Sequence, residues 1–217
     1  MISPLHYITQ DIAGTSHQQL TINACEAGID WVQLRVKNSD HQEWLTIAME
    51  VKEICGKYNV KLIINDNVAI AKIIKADGVH LGKADTDLLE ARKELGEQAI
   101  IGGTANTFED IKTLVEKGVD YIGLGPFRFT STKNNLSPIL GLKGYQEILE
   151  QCKTNNITTP VIAIGGIQPE DVKLLMNEGV YGIAVSSAIT FSKNSTETIN
   201  RFKNSIAIKE QSTHHIQ

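Results

Sequence analysis

Gln33, Arg35 and Lys37 occupy every second position of Gln33-Leu34-Arg35-Val36-Lys37, directly after the buried-looking run Ile29-Asp30-Trp31-Val32. Successive side chains of a strand point to opposite faces, so the amide and both cations share one side while Leu34 and Val36 share the other. Inside a domain, unpaired positive charge on such a face is costly, and an anion should meet it. An edge strand with a solvated polar face would carry the same pattern. Two carboxylates add to the chemistry. Asp66 follows Ile64-Asn65, and Asp85 closes Gly82-Lys83-Ala84-Asp85. If their runs are neighbouring strands, about 4.8 Å apart, the carboxylates repel unless a cation or proton lies between them. Hard oxygen ligands favour Mg²⁺, which takes one or two carboxylates and completes its shell with water and phosphate oxygens. Either aspartate taken singly would also serve as a helix N-cap.

The elements that must position these groups repeat along the chain. A helical pattern closes on Gly or Asp-Gly and leads into a short β-rich run, as at Ala27-Gly28-Ile29-Asp30, Lys117-Gly118-Val119-Asp120 and Glu178-Gly179-Val180. Strands are expected over residues 6–9, 31–36, 61–65, 78–81, 99–102, 121–125, 161–165 and 182–186. Helical patterns fall at 44–57, 68–75, 87–95, 108–117, 145–152 and 171–177. Strict alternation implies parallel strands joined by helical crossovers, and eight such units fit a single (β/α)8 TIM barrel of the α/β class. No G-x-G-x-x-G follows the first strand, which disfavours a dinucleotide-binding sheet.

In such a barrel the active site lies at the C-terminal ends of the strands. Asn65-Asp66, Asp85, Gly103-Thr104, Gly165-Gly166 and Ser186-Ser187 all end or follow a strand. The Gly-rich ends of strands seven and eight match the usual phosphate position, where glycine lets backbone N–H groups approach an anion. With Arg35, Lys37 and Lys133, the site is suited to two separate anionic groups. Residues 128–141 lack periodicity and follow strand six, a place suited to a lid.

At 217 residues the chain is expected to form one domain, a barrel over 1–208, with a disordered tail at 209–217. A net charge of -4 argues against a nucleic-acid or membrane surface, so the partners expected are small molecules. A homo-oligomer is compatible with the sequence. Cys25, Cys55 and Cys152 have no metal-ligand spacing and read as buried thiols in a reducing compartment. No signal-like start or long apolar run is seen, and the expected location is cytoplasmic.

These segments together resemble the thiamine-phosphate synthase family. The resemblance rests on Gln33-Leu34-Arg35-Val36-Lys37, Ile64-Asn65-Asp66, Gly78-Val79-His80-Leu81-Gly82 with Asp85, Gly123-Leu124-Gly125-Pro126-Phe127, Thr130-Ser131-Thr132-Lys133 and Ala163-Ile164-Gly165-Gly166-Ile167. It implies a transferase that joins 4-amino-5-hydroxymethyl-2-methylpyrimidine diphosphate to a thiazole phosphate, giving thiamine phosphate and diphosphate. It further implies that Gln33, Arg35, Lys37, Asn65, Thr104 and Lys133 hold the pyrimidine diphosphate. Asp66 and Asp85 would hold Mg²⁺, and Thr130, Ser131, Thr132, Gly166, Ser186 and Ser187 the thiazole phosphate. The implied mechanism is dissociative, with Arg35, Lys37 and Lys133 as the catalytic cations.

The chain departs from the family's Gly-x-Ser-x-His after strand five, where it reads Gly102-Gly103-Thr104-Ala105-Asn106. A related thiazole tautomerase resembles this family but carries a His where Asn106 stands and lacks the Asn-Asp pair. A phosphosugar isomerase would need a general base near its substrate carbon. A non-catalytic phosphate-binding barrel would leave Asp66, Asp85 and Lys133 without a purpose. His80, between Val79 and Leu81, is expected to be packed and hydrogen-bonded.

Overall fold

The computed structural model describes residues 1–129 and 137–213, with side chains up to residue 207. Strands and helices alternate as β1 (Leu5–Ile8), α1 (His17–Glu26), β2 (Trp31–Leu34), α2 (His41–Tyr58), β3 (Lys61–Asn65), α3 (Val68–Ile73), β4 (Gly78–Leu81), α4 (Leu88–Leu95), β5 (Ile100–Ala105), α5 (Phe108–Glu116), β6 (Tyr121–Leu124) and α6 (Gly141–Thr154). Then come β7 (Val161–Ile164), a 3₁₀ turn at Pro169–Asp171, α7 (Val172–Glu178), β8 (Gly182–Val185), α8 (Ser187–Thr190) and α9 (Ser195–Thr213). All eight strands pair in parallel in sequence order, and β8 returns to β1, so the sheet closes without an edge. The edge-strand alternative for β2 is thereby removed.

Both faces of the strands are buried, as a parallel sheet under helices requires. The outer face packs Leu5, Val32, Leu62, Val79, Ile122 and Ile183 against the helices, while the axis holds a smaller set that includes Ile8, Trp31, Ile63, Tyr121 and Ile162. His6 stacks on Trp31 with centroids 4.3 Å apart, and Tyr121 meets both rings edge-on. At the opposite end from the site, Asp77 accepts the Leu62 N–H and pairs with Lys61, and Asp120 accepts the Ile101 N–H and pairs with Arg92. These carboxylates fix where β3 and β5 begin. The three cysteines are free and buried, and the Cys25 and Cys55 thiols bond each other between α1 and α2.

Two strands differ from expectation in ways that matter. β2 stops at Leu34, placing Arg35, Val36 and Lys37 beyond it. β5 runs on to Ala105 through Gly102 and Gly103, so Thr104 stands on the strand itself. The expected tail at 209–217 falls partly on α9, described to Thr213, and partly on residues 214–217, which include His214 and His215 and lie outside the described residues. Among the described residues no helix is long and apolar enough to cross a membrane.

Burial drives the His6 pKa down to about 3, against the opposing bond to the Ser3 carbonyl. The fold therefore excludes the protonated ring, which the unfolded chain accepts below pH about 6.5. Stability from this residue is complete above that pH and falls as pH drops toward the folded value, by about 1.4 kcal/mol per pH unit. Urea midpoints compared at pH 7.5 and 5.0 should show a fall of about 2 kcal/mol that is missing in His6→Phe. Equal pH slopes in parent and variant would contradict this.

Candidate active site

A cavity of about 930 Å³ opens where the strands end. Gln33, Arg35, Lys37, Asn65, Asp66, Asp85, Thr104, Gly166, Ser186 and Ser187 all line it. Thr130, Ser131, Thr132 and Lys133 lie outside the described residues, as does the 130–136 stretch of the 128–141 segment read as a lid.

The alternation read from β2 continues past its end. Gln33 is 4% exposed and Leu34 and Val36 are buried outward, while the Lys37 side chain is 42% exposed. A neutral amide thus sits deepest and the cations stand nearer the mouth. Lys37 pairs with Asp66, whereas the Arg35 guanidinium has no partner among the described residues. Asp66 adopts a left-handed backbone (φ 63°), and its N–H bonds the His80 carbonyl at 2.9 Å.

Asp66 and Asp85 bond each other. Burial works to raise the Asp66 carboxyl, yet Lys37 and Asp85 hold it below its ordinary range. Asp85 is raised by burial and by Asp66, against the Gly82 N–H that it accepts at 2.6 Å. The pair thus splits in proton affinity, Asp66 downward and Asp85 upward, as two close carboxylates do, and a divalent cation could lie between them. No cluster of three or more His, Cys, Asp or Glu suited to a metal occurs among the described residues. Two carboxylates open to the cavity fit Mg²⁺, which draws its other ligands from water and phosphate.

Behind this wall runs a buried polar chain. Gln33 bonds the Tyr121 hydroxyl, which meets His80 Nδ1 at 3.0 Å, and His80 Nε2 meets the Thr104 hydroxyl at 3.0 Å. Burial pushes the Tyr121 pKa far up, so the phenol keeps its proton. His80 is packed and hydrogen-bonded, as its place in the sequence suggested. Asn106 is also tied into the fold: its amide donates to the carbonyls of Gly125 at 2.8 Å and Pro138 at 2.9 Å. It does not line the cavity.

At the opposite wall Gly165 and Gly166 have φ of +103° and +66°. A Cβ on Gly166 would lie 2.5 Å from Arg128 Cγ and 3.0 Å from the Phe129 carbonyl oxygen. Glycine is thus required there by the chain's own approach, whatever ligand is present. Arg128 pairs with both Asp171 carboxylate oxygens at 2.7 Å and donates to the Gly166 carbonyl at 3.0 Å. The Ser186 hydroxyl oxygen is buried and has no partner among the described residues.

Gln10 is a cavity residue that the sequence reading missed. It is 6% exposed, lines the cavity, and its Nε2 has no partner among the described residues. The signal was available, since Thr9-Gln10-Asp11 is a polar run at the end of a barrel strand like the others.

A family model described as thiamine monophosphate synthase matches residues 5–189. A thiamine-phosphate synthase of Flavobacterium johnsoniae is 52% identical over 192 residues, covering 88% of this chain and 91% of that protein. One from Bacteroides fragilis is 47% identical over 200 residues, covering 92% and 98%. A solved thiamine phosphate pyrophosphorylase from Pyrococcus furiosus superposes with a TM-score of 0.81 at 27% identity, covering 94% of this chain and 95% of that one.

A buried amide nitrogen without a partner among the described residues costs stability, a cost that a ligand accepting its hydrogen bond would offset. Gln10→Leu should stabilise the chain by about 1 kcal/mol in thermal melts while lowering kcat/KM about tenfold. Raised stability with unaltered kcat/KM would show that Gln10 does not reach the ligand.

Proposed function

The chain belongs to the thiamine monophosphate synthase family and is an enzyme of thiamine-phosphate synthase activity, and we propose that it works by dissociative transfer between two anion sites of the cavity. The observation that carries this reading is the gathering of Arg35, Lys37, Asp66 and Asp85 on one wall, across from Gly166, Ser186 and Ser187. The first wall suits the diphosphate of 4-amino-5-hydroxymethyl-2-methylpyrimidine diphosphate, with Gln33, Asn65 and Thr104 set deeper for the remainder of that substrate. The second suits the thiazole phosphate, to which Thr130, Ser131 and Thr132 are also assigned.

Asp66 and Asp85 would hold Mg²⁺, which when bound supplies positive charge to the diphosphate oxygens. The residues of the chain do the rest. Arg35 and Lys37, with Lys133, stabilise charge that grows on the diphosphate as the bond from the pyrimidine methylene carbon to oxygen breaks. The electron pair leaves with the diphosphate, and the ring's amino group stabilises the cation left behind. The thiazole nitrogen then supplies the pair for the new bond. No side chain has to act as nucleophile or strong base. Ile8, Pro126, Ile164, Ile167 and Ala184 give the cavity apolar surface, which limits capture of the cation by water. The reading places the enzyme in the cytoplasm, acting on small molecules without nucleic acid or membrane.

Incubation with the pyrimidine diphosphate, a thiazole phosphate and Mg²⁺ should give thiamine phosphate and diphosphate in equal amounts by mass detection. Excess chelator should abolish turnover, and Asp66→Asn should lower kcat/KM by about 100-fold or more. Full turnover in chelator, or product formation unaffected by Asp66→Asn, would refute the metal assignment. Arg35→Ala should raise KM for the pyrimidine substrate far more than for the thiazole.

A further inference from the structure

Arg35 and Lys37 lie past the last residue of β2, so no strand ladder fixes the backbone that carries them. What fixes it comes from the segment after β1. The Thr9 N–H donates to the Gln33 carbonyl at 3.0 Å, the last ladder bond between these two strands. A parallel ladder would next take the Arg35 N–H to the Thr9 carbonyl. Here the Arg35 N–H goes to the Thr9 hydroxyl instead, at 3.1 Å. Two residues on, the Lys37 N–H donates to Asp11 Oδ2 at 3.1 Å, and the Asn38 amide donates to the same oxygen at 3.0 Å.

His17 joins the two acceptors. Its ring, 7% exposed on α1, places Nδ1 2.9 Å from the Thr9 hydroxyl and Nε2 2.8 Å from Asp11 Oδ1. One tautomer satisfies every partner. With the proton on Nε2, His17 donates to Asp11, its Nδ1 accepts from the Thr9 hydroxyl, and that hydroxyl accepts from Arg35. Thr9 is fully buried and the His17 carbonyl accepts the Thr21 hydroxyl at 2.8 Å, so the unit is anchored on rigid elements.

We infer that Thr9, Asp11 and His17 form a positioning unit that holds the main chain of Arg35-Val36-Lys37 and so aims both cations at the diphosphate. The link to the diphosphate rests on the function proposed above. None of the three side chains lends its charge or proton to the reaction; they act through the backbone of the residues that do.

Amide hydrogen exchange on the intact chain without substrate tests this directly. In Thr9→Val and Asp11→Ala, exchange at the Arg35 and Lys37 amides should rise about tenfold or more while the barrel strands keep their protection. Thr9→Ser, which retains the hydroxyl, should exchange like the parent. With Mg²⁺ and inorganic diphosphate as competitor of the pyrimidine substrate, the inhibition constant should rise about tenfold in the first two variants, with KM for the thiazole phosphate unmoved. Parent-like exchange at both amides, or exchange that rises evenly along the whole chain, overturns the inference. Local exchange that rises while diphosphate inhibition is unchanged, both in these variants and in Arg35→Ala, upholds the hold on the loop. It removes instead the assignment of the diphosphate to Arg35.

Discussion

A closed barrel of short parallel strands has to fill its own axis, and His6, Trp31 and Tyr121 meet that requirement with three mutually packed rings. Rings of this size leave no space for side chains beside them. A Cβ on Gly102 would stand 2.2 Å from the Tyr121 ring and 2.6 Å from His80 Nδ1, and one on Gly123 would stand 2.9 Å from the same imidazole. Bulk at some positions of the barrel interior is thus offset by its absence at Gly102 and Gly123, as close packing demands. The aromatic layer also sets the depth of the cavity, because the polar chain from Gln33 through Tyr121 and His80 to Thr104 begins on it.

Charge is arranged by the same constraint. A cation on the barrel axis would lose its hydration with little to compensate it. The chain places a neutral amide at Gln33 and lets β2 end before the first cation, so Arg35 and Lys37 share the inward face without sharing its dryness. Ending a strand early leaves backbone N–H groups to be satisfied, and the side chains of Thr9 and Asp11 do so. Charge placement and backbone satisfaction are therefore solved by one short stretch after β1.

Much of this was legible from residue order alone. The eight strands and their parallel closure followed from alternation, and the site from polar residues gathering at strand ends. Residue order pairs Asp66 with Asp85 at the ends of adjacent units, and the structure puts their carboxyls in contact. What stayed hidden depended on tertiary partners. The helix α1 buries His17 and Thr21 along with Leu20, Ala24 and Cys25, so its inner face does not read as an apolar stripe. The end of β2 was hidden because alternation persists through Lys37, although the hydrogen bonds change from ladder to side chain after Gln33. β5 reads short because Gly102-Gly103 lowers strand propensity, and the neighbouring Tyr121, His80 and Leu114 side chains explain why glycine is needed in that strand.

The glycine pair after β7 shows why a motif and its reason can separate. Gly165-Gly166 suggests a phosphate approaching bare backbone, and the cavity does open there. Yet the nearest atoms to added carbons are Pro126 at 2.6 Å from Gly165 and Arg128 at 2.5 Å from Gly166. The segment leaving β6 runs alongside these glycines, with the Phe127 N–H on the Ile164 carbonyl at 2.8 Å and the Arg128 N–H on the Gly165 carbonyl at 3.0 Å. Asp171 then anchors Arg128 from the turn before α7. A larger residue at either glycine would displace the β6 segment before it met a ligand. The shape of this wall is consequently a property of the contact between the two loops, and Arg128 and Asp171 govern it as much as the glycines do.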